Sequence, residues 1–216
     1  MIKFESPTTV LVSGPTSSGK STLVFDILKH AKDMFQKPPK KIFYCYGIFQ
    51  PTFTEMEREI SNIEFIDGLP TRNDLHTWSA HSDHNILVLD DLLQKAAKNE
   101  DIVDLFCQYS HHLNFTTFFL VQNLFSGGKF FRTISLNSHF ILLFANARDT
   151  LQIQTLARQI FPSSVNYFMD AFHKSTEPRF GYLLIDCHPK SDPLYKLRTH
   201  ILPHQITSVF VPKKST

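Results

Sequence analysis

The chain has 216 residues, 42% of them hydrophobic and 19% charged, a globular composition rather than that of a disordered or low-complexity segment. A net charge of +2 argues against binding nucleic acid through bulk basicity, while leaving room for contact through a few loops. Cys45, Cys107 and Cys187 are too few and too scattered for a disulfide framework or a zinc site, and no apolar run approaches the roughly 20 residues a membrane-spanning helix needs.

Met1-Ile2-Lys3-Phe4-Glu5 carries no signal pattern and leads directly to the first strand. That strand is Thr8 to Ser13, β-branched and apolar. Leu23, Val24, Ile27, Leu28 and Ala31 then recur at helical spacing, which predicts one helix from Ser21 to Phe35, stopped by Pro38-Pro39. Strands follow at Ile42 to Tyr46 and Ile63 to Ile66, with a short helix from Phe53 to Ile60 between them and a turn at Asp67-Gly68. Asn85 to Asp91 is a buried strand ending in two acids. A helix is expected over Glu100 to His111, and a strand over Thr116 to Val121 that ends in Gln122-Asn123. Ser126-Gly127-Gly128 reads as a flexible turn, and His139 to Phe144 as a further strand. Helices from Asp149 to Ile160 and Ser163 to His173 precede a strand at Gly181 to Asp186, and the remainder offers an edge strand or hairpin. Strands apolar on both faces, alternating with helices, predict an α/β fold: a parallel sheet covered on both sides, as one domain over residues 1–216 that reads as soluble.

The strongest motif is Gly14-Pro15-Thr16-Ser17-Ser18-Gly19-Lys20-Ser21, a complete phosphate-binding loop between a strand and a helix. Backbone N–H groups of such a loop point at phosphate oxygens, and the following helix adds the positive end of its dipole. Lys20 is expected to reach the β- and γ-phosphates of ATP, Ser21 to ligate Mg²⁺, and Thr22 to help hold the α-phosphate. Asp90 and Asp91 end a buried strand, where ligands of open α/β sheets bind. Asp90 is assigned to Mg²⁺. Asp91 is placed to orient or deprotonate the attacking water, the other role open to it being a helix cap. Gln122 and Asn123 close a neighbouring strand, and an amide there can hydrogen-bond the γ-phosphate or the water.

Arg132, in a Gly-rich segment beside that strand end, and Arg148, after the next strand, are candidates for an arginine finger acting on a neighbouring subunit, with Arg132 preferred. His81, His84, His111 and His112 lack cysteine or acid partners at ligand spacing and read as surface or hydrogen-bonding residues. Lys37, Lys40, Lys41, Lys129, Lys213 and Lys214 form short basic clusters of the kind that usually face solvent.

With these residues in place the chain resembles the viral genome-packaging ATPases of the FtsK-HerA superfamily, in particular those of poxvirus-like and Polinton- or adintovirus-type DNA viruses. The resemblance rests on Gly14 to Thr22, Asp90-Asp91, Tyr44-Cys45-Tyr46-Gly47, Ser110-His111-His112, and Val121 to Phe125. It continues through Arg132 to His139 and Ala157 to Pro162, and covers about Thr8 to Pro212. It implies a RecA-like core that assembles into a homo-oligomeric ring, hydrolyses ATP at subunit boundaries and drives double-stranded DNA into a capsid. A capsid or portal-like vertex protein would then be a partner, and the site of action the host nucleus or cytoplasm, or the virion. By the same implication Asp90-Asp91 is the Walker B pair and Gln122 the polar sensor. The departure is Asp91, where the superfamily usually carries Glu. Two other readings fit a P-loop chain of this length. A small nucleotide or metabolite kinase is disfavoured by the acid pair and the Gln-Asn strand end, which suit activation of water. A nucleotide-binding switch without turnover follows if Asp91 does not position water.

Overall fold

Runs such as Val10-Leu11-Val12 and Ile86 to Leu89 are apolar at every position because both faces of their strands are covered. The computed structural model describes residues 3–96, 110–124, 128–146, 148 and 150–212. Nine strands among them form one sheet. In chain order they are β1 (Thr9–Ser13), β2 (Ile42–Tyr46), β3 (Ile63–Asp67), β4 (Asn85–Asp90), β5 (Phe115–Val121), β6 (Phe140–Phe144), β7 (Tyr182–Asp186), β8 (Leu197–Thr199) and β9 (Ser208–Phe210), and they lie side by side as β3-β2-β4-β5-β1-β6-β7-β8-β9. The first six are parallel, with Asp90 opposite Leu120 and Ser13 opposite Val121, so the ends of β4, β5 and β1 stand together at one edge of the sheet.

Alternate residues of each strand serve two cores. Val10, Val12, Tyr44, Val88, Phe118 and Leu142 pack on the side of α1 (Lys20–Lys29), whose Val24, Ile27 and Leu28 are buried. Leu11, Phe43, Leu87, Phe119 and Leu143 pack with Leu156 of α8 (Thr150–Ile160) and Phe168 of α9 (Val165–Thr176). Each such side chain removed from water contributes about 1.5–3 kcal/mol, so the two-sided burial carries the fold.

The remaining helices are α2 (Ala31–Met34), α3 (Thr52–Glu59), α4 (Arg72–Ser79), α5 (Leu93–Ala96), α6 (Ser110–His112) and α7 (Gly128–Asn137). Several differ from the sequence expectation. The predicted helix over Ser21 to Phe35 is broken at His30, and Phe35 turns extended to bridge with Phe4. α4 was not expected, yet it opens on a capping box in which Thr71 and Asp74 satisfy each other's backbone N–H groups. The strand expected to include Asp91 stops at Asp90, because Asp91 is left-handed at φ 54°. Gly128, read as part of a turn, begins α7, so Arg132 sits on a helix rather than in a Gly-rich loop. Its apolar Phe130, Phe131 and Ile134 recur at helical spacing. The helix expected over Glu100 to His111 lies outside the described residues except for its end, where Ser110–His112 is helical; Cys107, Ser126, Gly127, Lys213 and Lys214 lie outside them as well.

The expected parallel sheet is extended at one side, where β7, β8 and β9 are antiparallel additions. A single crossover helix returns the chain to the edge where a strand began. Between β6 and β7 stand two helices, α8 and α9, which pack against one another and bring the chain back to the edge it left. β7 therefore starts, and β8 ends, at the same edge as the phosphate-binding loop.

Candidate active site

The first turn of α1 follows from its cap. Gly19 is left-handed at φ 98°, a conformation that costs glycine nothing, and it turns the chain from loop into helix. The Leu23 N–H donates to the Gly19 carbonyl at 2.9 Å, whereas the amides of Lys20, Ser21 and Thr22 have no helical carbonyl four residues back. They are donors for an anion. Ser18 Oγ is buried in the same loop with no hydrogen-bond partner. The Lys20 ammonium curls back on its own loop, donating to the carbonyls of Gly14 at 2.6 Å and Pro15 at 2.9 Å. Burial lowers its pKa, opposed by Asp90 and Asp91 nearby.

β4 delivers Asp90, only 5% exposed, to the same place. Burial raises its pKa, while the Tyr44 hydroxyl and Lys20 hold it down. The Tyr44 hydroxyl donates to Asp90 Oδ2 at 2.7 Å and the Ser21 hydroxyl to the same oxygen at 3.4 Å. A serine hydroxyl and a carboxylate oxygen brought together beside orphan amides form a hard-oxygen donor set, which fits Mg²⁺. Asp91 is exposed, and Gln122 Nε2 donates to its Oδ1 at 3.1 Å.

These groups surround one cavity of about 310 Å³, lined by Thr16, Ser17, Gly19, Lys20, Ser21, Thr22, Asp90, Asp91 and Gln122, together with Gln50 and Thr52 from the segment that opens α3. Asn123, Arg132 and Arg148 are not in that lining. Arg132 is exposed on α7, and Arg148 is exposed beyond β6, where its backbone N–H donates to Asn146 Oδ1 at 3.1 Å. Sequence reasoning assigned no role to Tyr44, Gln50 or Thr52. A signal existed for Tyr44, a polar tip within an apolar strand that must find a partner when buried; Gln50 and Thr52 carry none. Among the described residues no three His, Cys, Asp or Glu side chains gather as a further metal site, and no helix is long and apolar enough to cross a membrane.

No protein-family model matches the chain, and no curated protein matches its sequence. Solved structures do match. The genome packaging NTPase B204 of Sulfolobus turreted icosahedral virus 2, in complex with ATP-gammaS, superposes with a TM-score of 0.59 at 13% identity, over 95% of this chain and 98% of that one. B204 of Sulfolobus turreted icosahedral virus, described as a DNA-packaging ATPase, gives a TM-score of 0.61 at 12% identity, over 96% and 98%. The chain has their fold. At this identity the likeness concerns architecture, a P-loop α/β sheet flanked by helices, and extends over nearly the full length of both partners.

Proposed function

We propose that this chain is an ATP-hydrolysing motor that moves double-stranded viral DNA into a capsid. The observation that carries the reading is the convergence of the phosphate loop, Asp90, Asp91 and Gln122 on one cavity. The fold shared with B204, a packaging NTPase crystallised with ATP analogues, supports it.

In this reading the amides at the start of α1 and the Lys20 ammonium take the β- and γ-phosphates. Ser21 and Asp90 hold Mg²⁺, which supplies positive charge against the phosphates, and Tyr44 fixes the Asp90 carboxylate. Asp91 accepts a proton from the attacking water. Gln122, bonded to Asp91, positions that carboxylate and senses the state of the γ-phosphate. Arg132 and Arg148, outside the cavity of their own subunit, suit a finger acting on a neighbour in a ring. The capsid or portal-like vertex is the partner, and the motor works in the infected nucleus or cytoplasm or on the virion.

Steady-state ATP hydrolysis by the purified chain, with and without double-stranded DNA and across protein concentration, tests this. A trans arginine contributes about 10³–10⁵ in rate, so turnover per subunit is expected to rise steeply with assembly and again with DNA. A rate indifferent to both removes the motor. Phosphoryl transfer to an added nucleotide or metabolite would then mark a kinase.

A further inference from the structure

A second cavity, of about 300 Å³, adjoins the first. The two share Gly19 and Thr22, and the second contains neither Asp90 nor Asp91. One wall is α1 and its cap, with Asp26; the facing wall is Arg179, Phe180 and His200, which the antiparallel strands β7 and β8 bring to this edge. The lining is mostly apolar, and the volume stands at the low end of ligand cavities, about 300–1,000 Å³.

Phe180 is the unusual residue here. It is left-handed at φ 63°, rare for a bulky side chain, at a turn where the Gly181 N–H donates to the Pro178 carbonyl at 2.8 Å. Its side chain is 55% exposed, and the Arg179 guanidinium lies 4.8 Å from its ring centroid. The base of the side chain rests on the phosphate loop, where a Cβ at Gly19 would come within 3.2 Å of it. His200, on the same wall, is left-handed as well, at φ 57°. Phe180, a bulky residue in a conformation that its side chain disfavours, marks a place on this cavity wall where shape has been held against local preference.

We propose that this cavity takes the nucleobase and ribose, with the base stacked on the Phe180–Arg179 platform. The inference rests on the phosphate loop binding the triphosphate as set out above. Thr22 stands where the α-phosphate is expected, so the sugar and base continue into the space that Thr22 also lines. An aromatic ring and a guanidinium plane recognise the face of a base, so a purine, with the larger face, binds better than a pyrimidine.

Calorimetric binding of ATP, CTP and inorganic tripolyphosphate to the wild-type chain, Phe180→Ala and Phe180→Trp tests the platform. Wild type is expected to bind ATP more tightly than CTP. Phe180→Ala should weaken ATP between about 5- and 150-fold, the range of alanine substitutions at base–aromatic stacks, and leave tripolyphosphate unchanged. Phe180→Trp should retain ATP affinity, and ATP but not tripolyphosphate should quench its added fluorescence beyond the wild-type background from Trp78. If ATP affinity survives Phe180→Ala, or ATP and tripolyphosphate fall together, the platform is wrong while the phosphate site stands. A wild-type chain that binds neither probe overturns both.

Discussion

The two ends of the same parallel strands treat polar groups in opposite ways. At the ends of β1, β4 and β5, the orphan amides of α1 and the exposed Asp91 face a cavity. Roughly 15–20 Å away, at the beginnings of β4 and β5, Asn85 and His84 close on neighbouring polar groups of the chain. Asn85 accepts from the Lys41 N–H and the Ser82 hydroxyl and donates to the Trp78 carbonyl. His84, 1% exposed, donates from Nδ1 to the Lys37 carbonyl at 2.6 Å, and its Nε2 pairs with the Thr116 hydroxyl at 2.8 Å. A buried polar group already satisfied by its neighbours contributes to folding, whereas one aimed at a cavity contributes to a ligand. Side chains of similar chemistry thus have different roles according to whether their partners belong to the chain.

The comparison can be broken by substitution at either end. The largest effect is expected at Asp91: Asp91→Asn should lower ATP turnover by about 10²–10⁴, the contribution of a general base, with ATP affinity and melting temperature little changed. Normal turnover in that variant would remove the role. Lys20→Ala should weaken ATP by at least about tenfold, since a hydrogen bond to a charged group is worth roughly 1.5–3 kcal/mol, and equilibrium binding checks it. At the other end His84→Ala should cost about 2–3 kcal/mol in denaturant unfolding without changing ATP affinity.

Acid should act through the same histidine. Burial holds His84 down to about 4, below its ordinary 6.5, so the unfolded chain binds a proton there that the folded chain does not. Stability from this group is therefore complete well above pH 6.5 and is lost as pH falls toward 4, by roughly 1–2 kcal/mol between pH 6.5 and 5. His84→Gln should flatten that part of the profile. The smallest effect belongs to Asp90, whose buried charge the fold carries at a cost. Asp90→Asn should raise unfolding stability by about 0.5–2 kcal/mol while impairing turnover, the usual trade at a functional site.

Much of this was legible before any coordinates. The phosphate loop and the acid pair are local, so their spacing along the chain is their spacing in space, and the strands that carry them are apolar enough to find. What failed was non-local. Nothing near Arg132 says that Gly128 opens a helix instead of a loop until the apolar spacing of Phe130, Phe131 and Ile134 is weighed against it. The direction of β7 depends on α8 and α9 pairing, which no single segment encodes. Tyr44 meets Asp90 only because β2 and β4 are neighbours in the sheet, although the two residues are 46 positions apart in sequence.

The left-handed turn at Asp91 bears on how such a site changes over generations. Aspartate tolerates that conformation better than longer side chains do, so a glutamate introduced there gains reach and loses backbone fit. Gly47 stands against the same residue, and a Cβ on it would come within 2.8 Å of the Asp91 carbonyl. Neither position is free to drift alone. A lineage exchanging this acid for a longer one has to re-route the β4 end in the same period, and an alanine at 47 is tolerated only after that re-routing. The two residues, 44 apart in sequence, are therefore sterically constrained as a pair.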